Sequence, residues 1–276
     1  MKIICSTGAI GGAMIGRGGY MPDADSVREI YPLLQADGIE LMLSRRWVTE
    51  EYDWPNLFAE LLPQIATVHL QKGIGESYSS PDKATVQDGF AQLKKDLEGT
   101  SKLGVTKGVM HLWGWPDTCF DQTMDMLKES AKVADDYGVE LLVETLPCRE
   151  DTLLHRLERV VEVYPKCRFT ADCRMLRHQN FDQEIFNTDW LWDEGRIAHI
   201  HVSDCFMGTD GIVAIHPILH PGDGIIDFPA FFSGLRRRGY DGTVTIESAS
   251  YNGDTKTVEL EKLNASLRYL RKLANE

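Results

Sequence analysis

Residues 196–205 read RIAHIHVSDC, and the alternation inside them decides how the chain is to be folded. In a β-strand, residues two apart point to one face. His199 and His201 therefore look the same way, while Ala198, Ile200 and Val202 look the other. One face is ordinary buried filling; the other carries two imidazoles. That polar face needs a reason.

The same kind of segment recurs along the chain. Strand candidates are 2–8, 39–44, 66–71, 107–113, 139–145, 167–172, 197–203 and 243–248. Helical patterns lie between them, at 26–36, 85–103, 121–137, 153–164, 228–239 and 257–274. Gly38, Gly104, Gly138 and Gly239 stand just before strands, where a glycine stops a helix. Eight strands alternating with helices at a spacing near 30 residues predict a (β/α)8 TIM barrel, one domain over 1–276. A doubly wound sheet is the alternative. The glycines of STGAIGGAMIGRGG (6–19) do not form the GxGxxG turn which that fold usually carries.

Parity along the strands extends the histidine pattern. Glu144 shares a face with Leu142 and Glu140, Asp172 with Thr170, and Glu247 with Thr245 and Thr243. His69 goes with Thr67 and Gln71, and His111 with Val109 and Trp113. Parallel strands covered on both sides are nearly continuously apolar, so acids and imidazoles near so many strand ends are out of pattern. In a barrel those ends meet at one mouth, where active sites lie. Converging carboxylates repel and resist desolvation, and a divalent cation relieves both costs. Glu144, Asp172, His201 and Glu247 form the sharpest set. Three oxygen donors and one imidazole suit Mn²⁺ or Mg²⁺, with Co²⁺ or Zn²⁺ as alternatives. His199, deeper on the same face, reads as a support for the ligating imidazole or as structural.

Composition bounds the partners. The chain has 276 residues, 43% hydrophobic and 26% charged, in the range of a soluble globular protein. A net charge of −13 with no Lys/Arg-rich block argues against nucleic acid and anionic lipid. No apolar run reaches the roughly 20 residues of a membrane helix. Six cysteines without a CxxC, behind an N-terminus with no signal-peptide pattern, read as reduced thiols of a cytoplasmic protein.

VETLP (143–147), TAD (170–172), HIHVSD (199–204), HPGDGIIDF (220–228) and TIES (245–248), in that order and spacing, resemble the xylose isomerase-like TIM-barrel superfamily. The pattern is most similar to ketose 3-epimerases. The resemblance implies one divalent metal on Glu144, Asp172, His201 and Glu247, with Glu144 and Glu247 also moving the proton. It places Glu150 against substrate. Such epimerases carry a substrate-binding His where this chain has Met175, and an Arg where it has Met207, so the sugar is left open. Dimers and tetramers are common among similar proteins. Endonuclease IV shares the superfamily, but its Asp-x-His after strand seven is missing from AIHPILHPGDG (214–224).

The expected activity is therefore a metal-dependent sugar isomerase or epimerase, working on a ketose or keto-polyol by Glu-mediated proton transfer through an ene-diolate. His69 and His111 are placed to bind substrate hydroxyls or line the wall. Trp113 and Trp115 are placed to pack on a sugar face or under a loop, and Arg174, with Arg149 and Arg177, to meet an anionic group. An inosose-type dehydratase shares the same first step. A non-catalytic sugar-binding barrel is the reading outside enzymes.

Overall fold

Each of the eight runs forms a strand: β1 Lys2–Ser6, β2 Ile39–Met42, β3 Ile65–His69, β4 Lys107–Met110, β5 Glu140–Glu144, β6 Arg168–Asp172, β7 Ile197–Val202 and β8 Thr243–Ile246. The structure, a computed structural model, describes residues 1–11, 24–45, 47, 52–61, 64–114, 117, 119–252, 254–255 and 257–276. The strands form one closed parallel barrel in which sheet order follows chain order and β8 closes on β1. A doubly wound sheet would reverse its strand order at a switch point, so that alternative falls. Trp115 lies outside the described residues.

By internal packing the chain divides into two compact units, Met1–Leu41 with Ala171–Glu276, and Met42–Thr170. In the first, Ser6 of β1 lies opposite Glu40, and Ile4 lies opposite Thr245 of β8. Thr245 lies in turn opposite His201 of β7. In the second, Val109 of β4 lies opposite Leu142 of β5, and Glu144 lies opposite Thr170 of β6.

The apolar faces are buried as the alternation requires: Ile200, Val202, Val244 and Ile246 in the first unit, Leu141, Val143 and Phe169 in the second. Helices cover them with their own apolar stripes. Phe228–Arg237 buries Phe231, Phe232 and Leu235, and Leu260–Asn275 buries Leu263, Leu267 and Leu270. Each such side chain contributes about 1.5–3 kcal/mol on leaving water. Helix ends follow local chemistry. Asp82 accepts from the N–H of Ala84 and Thr85 at the start of Lys83–Lys102, and Gly138, at φ 66°, closes Phe120–Tyr137 in the left-handed region.

Three differences from the sequence expectation concern the connections, and the first two have a local physical cause. The helix expected over 26–36 ends at Ile30 and continues as a 3₁₀ turn, Tyr31–Leu33, because Pro32 has no N–H to extend an α-helix. Gly104, Gly138 and Gly239 take positive φ, but Gly38 does not, since the chain reaches it from that turn and not from a helix end. A two-stranded hairpin, Asp204–Met207 with Val213–Leu219, was not anticipated between β7 and β8. Among the described residues no helix is long and apolar enough to cross a membrane.

Candidate metal centre

In the first unit, the polar faces of β2, β7 and β8 build one connected group. His199 Nδ1 lies 2.6 Å from Thr243 Oγ1, and its Nε2 lies 2.9 Å from Thr245 Oγ1 and 2.8 Å from Glu40 Oε2. The Glu40 carboxylate also meets His201, with Nε2 at 3.1 Å from Oε1 and 3.2 Å from Oε2. Glu40, His199 and His201 have no exposed surface. Burial works to raise the Glu40 carboxyl. The field of His201, with hydrogen bonds from both imidazoles, outweighs it and holds the group well below the usual carboxylate range. An ionised carboxylate only accepts, so both rings donate to it through Nε2.

That leaves the other nitrogen of His201 facing a second acid. His201 Nδ1 lies 3.5 Å from Glu247 Oε2. Two such acceptors, both buried, repel each other unless a proton or a metal cation lies between them. Asp172 stands at the end of β6 and accepts the N–H of Arg174 and Met175 at 2.8 and 3.0 Å, capping the short helix Cys173–His178. Both cap bonds fall on Oδ1, so capping and ligation through Oδ2 are compatible roles for one side chain. Asp172, His201 and Glu247 each offer a donor atom, and these lie within 4.8 Å of one another. Two hard carboxylates and one imidazole, all buried, fit a divalent cation.

The loop beyond β7 is fixed by Asp204. Its Oδ1 accepts the N–H of Cys205 and Ile226, and its Oδ2 those of Gly222 and Gly224. A Cβ on Gly224 would sit 2.0 Å from the Cys205 carbonyl oxygen. The HPGDG motif thus owes its glycine to this close approach. Arg174 is buried in the same region, donating to Ser203 Oγ at 2.9 Å and to the Ile215 carbonyl at 3.0 Å. It braces the hairpin strand Val213–Leu219 against the helix Cys173–His178.

In the second unit, Glu144 ends β5 and is 1% exposed. Two imidazoles take the same oxygen, Oε2: His111 Nε2 at 2.8 Å and His69 Nε2 at 3.2 Å. His69 Nδ1 lies 2.8 Å from the Leu70 carbonyl, which only accepts, so Nδ1 carries a hydrogen. Burial lowers the His111 imidazole to about 4, against the pull of Glu144, so at neutral pH it is an uncharged donor. The geometry gives Glu144 a carboxyl oriented through Oε2.

The remaining sequence candidates have other surroundings. Trp113 is 1% exposed, donates its indole N–H to the Pro147 carbonyl at 3.2 Å and packs edge-on against Phe120. The Arg156 guanidinium covers Phe120 at 4.2 Å and pairs with buried Asp117 at 2.6 Å. Glu150 is exposed and lines a cavity of ≈ 490 Å³ with Asp117, Phe120 and Arg156. Glu40 was not singled out from sequence. Its signal was an acid between Ile39 and Leu41 in a strand otherwise apolar, since acids are almost never fully buried unless paired.

Comparison with known proteins agrees with this architecture. A family model described as xylose isomerase-like TIM barrel matches residues 34–273, and the chain belongs to that family. D-psicose 3-epimerase from Clostridium cellulolyticum H10, solved with D-tagatose, is similar in fold, with a TM-score of 0.74 at 17% identity. The match covers 99% of each chain. The IOLI protein, solved with a bound zinc atom, gives a TM-score of 0.72 at 17% identity over 99% of this chain and 96% of its own. The 3-keto-D-glucoside 4-epimerase YcjR from E. coli gives 0.65 at 20% identity over 99% of each.

Proposed function

We propose that this protein is a divalent-metal-dependent sugar isomerase or epimerase acting on a ketose or keto-polyol. The observation that carries the reading is the buried trio of Asp172, His201 and Glu247, close enough to share one ion. Glu144 is the fourth ligand of the proposal. Epimerase and isomerase neighbours support the class; their substrates remain theirs.

When bound, the cation polarises a carbonyl and its neighbouring hydroxyl, which acidifies the proton on the carbon between them. Glu144 and Glu247, on β5 and β8, are the two bases. One removes the proton and the other returns one. His69 and His111 hold the Glu144 carboxyl through Oε2, which fixes its direction during transfer. Burial of both glutamates keeps bulk water from competing for the proton. A net charge of −13 argues against nucleic acid as the substrate.

The test is a panel of ketoses incubated with protein and Mn²⁺ in D₂O. An active ketose is expected to gain deuterium at the carbon beside the carbonyl, read by NMR and mass spectrometry. Turnover without deuterium would mean a hydride shift and remove the two glutamates from their roles. Loss of water from the substrate would identify a dehydratase instead.

A further inference from the structure

We infer that Glu40 is a positioning residue for metal binding: it holds the Nε2–H of His201 and so presents Nδ1, beside Glu247, as the ligating nitrogen. The inference rests on the metal site of the proposed function. It deepens that site by saying which imidazole nitrogen binds and what orients it.

The geometry runs as a chain of contacts inside the first unit. Thr243 and Thr245 bracket His199 at 2.6 and 2.9 Å. His199 Nε2 meets Glu40 Oε2 at 2.8 Å. Glu40 then spans His201 Nε2 with both oxygens, at 3.1 and 3.2 Å. Glu40, His199, His201 and Thr245 have no exposed surface, so no bulk water reaches the contacts among them. The two rings sit edge to face at 5.1 Å, which keeps both Nε2 atoms turned to one carboxylate. Ligating imidazoles commonly donate their other N–H to a carboxylate, which raises the basicity of the ligating nitrogen and fixes the ring. Two histidines two residues apart on β7 thus have distinct tasks. His201 ligates, and His199 holds the carboxylate that holds His201.

Two measurements test this on the full chain. In Glu40→Gln, one oxygen and the charge are lost at nearly constant volume. Affinity for Co²⁺ is expected to fall by about 10- to 100-fold, the usual cost of losing such a partner. The visible spectrum of the Co²⁺-loaded protein should change with it. A purely structural role would instead lower the melting temperature of the metal-free protein and leave the affinity and the spectrum alone. The second measurement uses the wild-type chain labelled with ¹⁵N-histidine and loaded with Zn²⁺. NMR is expected to show His201 protonated at Nε2 with Nδ1 on the metal, and it decides the matter should Glu40→Gln fail to fold. Co²⁺ affinity within twofold of wild type in a folded Glu40→Gln, or His201 protonated at Nδ1 in the loaded protein, overturns the inference and leaves the metal site standing. A wild-type chain that binds neither metal overturns both.

Discussion

Asp172→Ala is expected to remove most of the bound divalent metal and to lower turnover of an active ketose by about a thousandfold or more. Polarisation by a bound cation is worth several kcal/mol, and about 4 kcal/mol corresponds to a thousandfold in rate. Asp172 also caps Cys173–His178 through Oδ1, so alanine costs about 1 kcal/mol of stability in addition. Asp172→Asn separates the two roles. Its side-chain oxygen keeps the cap while the charge is gone. Metal content should fall in both variants, whereas the melting temperature of the metal-free protein should fall mainly in Asp172→Ala. Elemental analysis beside thermal melts reads both. Metal retained in Asp172→Ala would exclude it as a ligand.

Glu144→Gln and Glu247→Gln are each expected to slow turnover by roughly a hundredfold or more, as loss of a positioned base does. The two should differ in detail. Glu144 shares Oε2 with His69 and His111, and a glutamine amide turned to them offers a donor where His69 Nε2 needs a proton partner. Glu247 faces His201 Nδ1, so its replacement should weaken the metal more. Metal content measured beside each rate separates loss of a base from loss of a ligand. Rates within tenfold of wild type, at full metal occupancy, would exclude the residue as the proton carrier.

Much of this was legible in the sequence because parallel barrel strands obey a strict two-residue period. The polar face of IAHIHV could be read without knowing its partners, and Glu144, Asp172 and Glu247 each fell at the end of their own run. Glu40 was not read because a single acid among Ile39, Leu41 and Met42 makes no alternation to see. Its meaning lies in His199 and His201, which are far away in sequence and meet it only in the sheet. Trp113 illustrates the same limit. Its parity with His111 was visible, but the Pro147 carbonyl that takes its N–H was not. The hairpin after β7 left a signal that went unused, the Asp-Gly of Asp210–Gly211 between two short apolar runs. The HPGDG loop resembled a family motif, and its local cause, four N–H groups on Asp204, required coordinates.

The most direct test of the central claim is the metal content of protein purified without chelator, followed by its thermal response to added Mn²⁺. A ligand that binds only the native state raises its stability. The account predicts close to one divalent ion per chain, and a melting temperature that falls on chelation and recovers with Mn²⁺. Protein that carries no metal and melts at the same temperature with or without Mn²⁺ would contradict it.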